Sequence, residues 1–423
     1  MNAGLNQYHD GYAKMLFWSI IIGLLPIVLV SVALPSLFET FLYQILVGSM
    51  FGVQVLVITI YFISATEKKI DWRYVAFGLI FSLFQLITIL RSSIVSSINF
   101  FDIINVISRF LSVFLLLCIP AGLKISKDAF NRFMLSIVIL SVIACFYNFI
   151  VNFSDIMKIL TFNNPFTLNF SSFYFNRNTF GQLLFISIIA CTFLWVQKNS
   201  RFLLFAYVFF FINLIITLSR TATASALIFL CVLMFVFLKK KIKPSHIVLA
   251  VSFTAVIVIA LTNKKIIFFI VGMLIRSDVG MSDRDNLWLT GFEILNQNSW
   301  LLGIGYLSGV NIIKELGFNL KEFHSFYVET LIGGGLADLI MHFGLFGYTL
   351  NRIIHIRSFD KDPSSVYFSA YIALFVYMTF ESASFFTMGY VGTLFTAFFI
   401  TMPVLYSNRA LEKPGVSSSS LRK

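Results

Sequence analysis

Long apolar runs alternate with short polar gaps along almost the whole chain. A membrane-crossing helix needs about 20 apolar residues, and about twelve runs come near that length. They fall at 15–35, 42–65, 74–91, 101–121, 130–151, 178–196, 201–219, 221–238, 246–262, 325–350, 364–382 and 385–406. Two gaps are longer. Residues 152–177 are rich in Asn, Ser and Phe, and residues 263–323 mix charged, aromatic and glycine positions. The pattern predicts an all-α polytopic membrane protein. Residues 1–408 read as one transmembrane helical domain, with the long outer loop 263–323 between the ninth and tenth helices. Residues 409–423, ending GVSSSSLRK, are too polar and small to bury a core and read as a disordered tail.

Composition agrees with the pattern. The 423 residues are 58 % hydrophobic and only 12 % charged, with a mean hydropathy of +0.89; a soluble domain sits nearer a quarter charged. The net charge of +12 does not call for nucleic acid, because most of the basic residues fall on one set of gaps. Lys and Arg mark cytoplasmic segments, and KKKIK at 239–243 is the clearest anchor. Both termini then lie in the cytoplasm, and the loops 152–177 and 263–323 lie outside. Cys118, Cys145, Cys191 and Cys231 all sit in apolar runs and read as small core residues rather than a disulfide or metal set. The N-terminal run lacks a convincing small-residue cleavage site for a secretory leader.

Against this bias, Arg91, Arg177 and Arg220 stand at the outer ends of helices, and Arg276 and Arg284 stand in the long outer loop. Guanidinium groups bind phosphate or carboxylate through paired hydrogen bonds. A helix-end arginine also snorkels to lipid headgroups, so each one singly has two readings.

Four stretches concentrate this chemistry: FNRNTFGQLL around Arg177, TLSRTATASALIFL around Arg220, SDRDNLWLTGFEIL with the following WLLGIGYLSG, and KEFHSFYVETLIGGGLADLIMHFGLFGYTL with His324. Their order, spacing and sidedness over roughly 170–350 resemble the O-antigen ligase and Wzy-type polymerase superfamily of lipopolysaccharide, capsule and exopolysaccharide biosynthesis. Ligases of that group carry a histidine, a small polar residue, nine residues and a glycine, matched here by His324, Ser325 and Gly335. Three residues after that glycine the ligase pattern has threonine, and this chain has Asp338. That departure favours the polymerase branch. The resemblance implies a bacterial inner-membrane enzyme whose donor and acceptor are glycans on undecaprenyl diphosphate. A flippase and a chain-length regulator of the same pathway would be its partners.

Sugar transfer from a lipid diphosphate needs two things. The departing diphosphate needs positive charge, and the acceptor hydroxyl needs a base titrating near neutrality. His324 is the candidate base. Arg177, Arg220, Arg284, Arg276 and Arg91 are the candidate diphosphate ligands, and Glu381, Tyr327, Tyr306 and Asp338 are supporting residues. The carboxylates Asp278, Asp283 and Asp285 are interleaved with Arg284, so a metal-independent reaction without cofactors is expected. Trp288 and Trp300 read either as sugar platforms or as interfacial aromatics. Gly333–Gly335 read as close helix packing or as room for a lipid chain. Arg109, inside the fourth helix, should face the protein interior with a partner. A ligase acting on lipid A–core is the alternative within the class. A lipid-linked oligosaccharide flippase is the alternative outside it, disfavoured by the scarcity of mid-helix charges.

Overall fold

The computed structural model describes residues 8–37, 40–64, 72–95, 100–118, 120–160, 170–238, 284–306, 322–357, 360–383, 385–387 and 389–409. Every regular element among them is helical. The principal helices are α1 (Asp10–Val28), α2 (Phe41–Ser64), α3 (Trp72–Val95), α4 (Phe100–Val113), α5 (Lys127–Val151), α6 (Phe153–Leu160), α7 (Arg177–Lys198), α8 (Arg201–Ile216), α9 (Arg220–Leu238), α10 (Arg284–Gln297), α11 (Phe326–Ile356), α12 (Lys361–Phe380), α13 (Tyr390–Thr396) and α14 (Met402–Ser407). A π-helical turn, Ala397–Thr401, joins the last two.

Among the described residues, nine helical stretches are long and apolar enough to cross a membrane. Two shorter apolar helices, Ile107–Gly122 and Arg201–Ile216, coincide with two further expected spans. The expected span 246–262 lies outside the described residues, as do residues 410–423 of the expected tail.

Contacts divide the chain into two compact units. The first comprises Met1–Ser136, Asn286–Ser364 and Met378–Lys423, and the second Ile137–Asp285 and Ser365–Tyr377. In the first, α1 packs on α2 and α13, α3 on α4 and α11, and α11 on α14. A buried amide ties three of these together. Gln54 donates to Ser19 O at 2.6 Å and accepts from Gly389 N at 3.0 Å, so its polar atoms are satisfied within an apolar environment. In the second unit, α7 packs on α8 and α9. Asn148 donates to Asn213 at 3.1 Å, and its carbonyl accepts from Asn152 at 2.9 Å and from Ser172 N at 3.3 Å. That network fastens the turn ahead of α7 to α5.

The sequence reads α11 as one unbroken helix, and the structure differs. At Gly335 the backbone turns to φ 72° and ψ −168°, a conformation open to glycine and costly for other residues. The break frees four backbone groups, which the segment 300–305 satisfies. Ile304 N donates to Ile332 O at 2.8 Å and Gly305 N to Gly333 O at 2.9 Å. Leu336 N donates to Trp300 O at 2.8 Å and Ala337 N to Leu301 O at 3.1 Å. A break at membrane depth is stable only if its freed groups find protein partners, and the Trp300–Gly305 stretch supplies them.

Candidate functional site

His324 lies immediately before α11. Ser325 caps the helix, its side chain accepting from Val328 N, as an N-cap serine does. Phe323 is buried with Leu287, Leu295, Ile304, Val328 and Ile332, and Trp288 Nε1 donates to its carbonyl at 2.8 Å. That hydrogen bond holds Trp288 inward on its indole nitrogen. Between two anchored neighbours, His324 adopts φ 51°, the left-handed region that non-glycine residues occupy at a cost.

Two carboxylates flank the ring. His324 Nδ1 is 3.5 Å from Glu322 Oε1 and 3.7 Å from Glu381 Oε2. Both distances exceed a good hydrogen bond, and the buried Nδ1 has no hydrogen-bond partner among the described residues. Glu381 follows α12. Its carbonyl accepts from Phe326 N at 3.2 Å, and its side chain is almost fully buried. Glu322 is half exposed. Burial of its carboxyl, repulsion from Glu329 and then from Glu381 push it up to about 7, against the opposing pull of His324 and of the nearby Ser382 hydroxyl. The atoms offered by Glu322, His324 and Glu381 also lie within 4.8 Å of one another and could hold a metal ion.

Glu381, 57 residues beyond His324 in the chain, was expected at the outer mouth between the last two helices as a support for His324 or as a polar cap, and the structure brings its carboxylate to 3.7 Å from the ring. Glu322 was missed. Its one signal is the spacing KEFH, which puts a carboxylate two residues ahead of the ring.

The other residues singled out fall in three places. In the first unit, Arg91 Nε donates to the carbonyl of Gly303, so at least one nitrogen of this candidate diphosphate ligand holds the Trp300–Gly305 segment. Tyr306 OH donates to Asp338 Oδ2 at 2.5 Å, and Arg109 lies over the Tyr306 ring at 4.0 Å from its centroid. Arg109 was expected to have an interior partner such as Asp102 or a neighbouring helix's backbone, and the contact found is the Tyr306 ring. Tyr327 stacks on Phe343.

In the second unit, Arg177 opens α7 and Arg220 opens α9. The two helix starts adjoin, with Ser219 Oγ donating to Asn178 Oδ1 at 3.4 Å. The turn before α9 carries Leu218 at φ 56°, and Asn176 caps α7 by accepting from Asn178 N at 2.8 Å. Neither helix has an acidic residue in its first turn. Two half-buried guanidinium groups therefore stand at the positive ends of neighbouring helix dipoles, where anions bind best. Arg284, also half-buried, opens α10. Arg276, Asp278 and Asp283 lie outside the described residues.

Residues 205–343 match a family described as O-antigen ligase. The matched stretch runs from α8 into α11 and takes in Arg220, Arg284, His324 and Asp338. Over that stretch the chain is similar to the O-antigen ligase family, whose members are membrane glycosyltransferase-type enzymes, and its apolar helices make it a multi-pass membrane protein. No curated protein matches the chain.

Proposed function

We propose that this protein polymerises polysaccharide repeat units on the outer face of the bacterial cytoplasmic membrane, using undecaprenyl-diphosphate-linked glycans as donor and acceptor, with both termini in the cytoplasm. The observation that carries this reading is the unpartnered Nδ1 of His324 facing two carboxylates at the start of a spanning helix. The acceptor hydroxyl oxygen attacks the anomeric carbon, and its proton passes to His324. The bond from that carbon to the diphosphate oxygen breaks, its electron pair leaves with the diphosphate, and the configuration inverts. Glu381 and Glu322 stabilise the imidazolium as it forms. Arg177, Arg220 and Arg284 balance the departing charge. Two of these open adjoining helices that carry no first-turn carboxylate, and this supports an anionic ligand there. The reaction needs no metal.

Ligation of finished polymer onto lipid A–core is the second reading, favoured by the description of the matched family. Asp338 in the place of the ligase threonine favours polymerisation.

Deleting the chromosomal copy and resolving surface glycan on gels separates these outcomes. Collapse of long chains to one repeat on the core supports the polymerase. Long chains retained on the lipid carrier and absent from the core would replace it with the ligase. Unit-length intermediates trapped on the inner leaflet would replace both with a flippase.

A further inference from the structure

We propose that Tyr306 is a positioning residue whose phenol staples the two halves of α11 across its break, and so aims the short half-helix that begins beside His324. The inference rests on the proposed role of His324 as the base.

Backbone bonds alone hold the Trp300–Gly305 segment against the break. They satisfy the freed groups on both sides, but each is a single bond near a glycine hinge. Tyr306, the next residue, adds a side chain that touches both halves. Its ring lies against Gly333, before Gly335, and its oxygen donates to Asp338, after Gly335. Asp338 is fully buried. The ring lies so close to Gly333 that a Cβ there would sit 2.5 Å from a ring carbon, so only glycine admits it. Arg109 covers the ring at 4.0 Å from its centroid.

The Asp338 carboxylate is engaged a second time. His342 Nδ1 lies 3.3 Å from its Oδ1 and 2.9 Å from its backbone oxygen. Charged groups inside a spanning helix are expensive and persist where they serve a function. Here the carboxylate fixes the phenol, the phenol's ring packs on Gly333, and Gly333 lies in the half-helix capped by Ser325, next to His324. The placement of Asp338 where ligases carry threonine then has a reason: a carboxylate reaches the phenol and accepts from it.

The test uses the full-length protein in membranes and compares Tyr306→Phe, Asp338→Asn, Asp338→Leu and His324→Ala. Tyr306→Phe keeps the ring on Gly333 and under Arg109 and removes only the hydroxyl. It should lower turnover at saturating acceptor by roughly ten- to a hundredfold, as a misplaced catalytic group does, with the apparent KM for the donor within about twofold. Asp338→Asn keeps an acceptor for the phenol and should restore most of the turnover lost in Asp338→Leu. Hydrogen exchange at the Gly305, Leu336 and Ala337 amides should accelerate in Tyr306→Phe and in Asp338→Leu, and remain slow in His324→Ala. Unchanged turnover in Tyr306→Phe while His324→Ala is inactive would overturn the staple. So would a loss of turnover with unchanged amide exchange. Full activity in His324→Ala would instead overturn the proposed function, and with it any catalytic purpose for the staple.

Discussion

One histidine with nearby carboxylates stands at the mouth of α11 and another lies within it, and they differ in what surrounds them. His324, at the mouth of α11, has carboxylates at 3.5 and 3.7 Å and an unpartnered Nδ1. His342, in the interior, has its Nδ1 engaged by the Asp338 carbonyl at 2.9 Å and carboxylate at 3.3 Å. Its ring meets Phe81 and Phe326 edge-on, each with centroids 5.2 Å apart. The chemistry of the pair is the same. The interior ring is held by its Nδ1 contacts and by the aromatic rings around it, whereas the Nδ1 of the outer ring has no hydrogen-bond partner among the described residues. A histidine is available for catalysis when its hydrogen bonds are unfilled, whatever acid lies near it.

The largest break in this comparison is His324→Ala. Loss of a general base should cut the transfer rate by roughly 10²- to 10⁴-fold, measured as polymer formed on a lipid-linked donor in membranes. Wild-type output from a normally inserted His324→Ala protein would remove the base from the mechanism.

Next comes Gly335→Ala. The residue would have to hold φ 72°, and its Cβ would meet Leu301 O at 2.3 Å. Forcing that backbone costs roughly 3 kcal/mol, read as a lowered unfolding midpoint in detergent. An unchanged midpoint would mean that the break is not held in the folded protein.

His342→Phe sharpens the contrast from the other side. Its aromatic neighbours accept a ring, and the loss of its hydrogen bond should cost about 1 kcal/mol of stability. Transfer per folded molecule should remain near wild type. A loss as deep as that of His324→Ala would erase the distinction between the two pairs.

A smaller effect concerns pH. The Glu322 carboxyl is pushed up to about 7, above its ordinary value of about 4.3, so folding favours its protonated form. Its contribution to stability is full below about pH 4.3 and is lost as pH rises through about 7. Glu322→Gln stays neutral throughout, so its unfolding midpoint should gain on wild type across that window. The gain should be modest, because the side chain is 41 % exposed and solvent screens it. A constant difference between the two proteins from pH 4 to 8 would place the titration elsewhere.

The smallest expected effect is none. Chelation with EDTA should leave transfer unchanged, because the guanidinium groups supply the positive charge. Loss of activity restored by a divalent cation would assign that cation to Glu322, His324 and Glu381 and end the metal-free mechanism.

Most spanning helices were legible because each is a local property. An apolar run of sufficient length must cross the bilayer as a helix that satisfies its own backbone, and the helix bounds agree with the runs to within a few residues. Arg177 and Arg220 were legible for the same reason, since each marks the polar end of such a run. The chain could not declare that the starts of α7 and α9 adjoin. Nor could it tell that Gly333–Gly335 mark a break, because three glycines are equally consistent with close packing. The difference lies in the Trp300–Gly305 backbone, which supplies the partners that make a broken helix tolerable.

Residue order therefore told where the chain is oily, which ends carry guanidinium groups and where one imidazole meets water. Folding alone settled that Glu322 joins Glu381 beside that imidazole and that the Tyr306 phenol spans the interrupted helix. The physical reason is range. Apolar burial acts residue by residue along a helix, whereas a hydrogen bond or ion pair over a few ångströms depends on how segments distant in the chain are brought side by side.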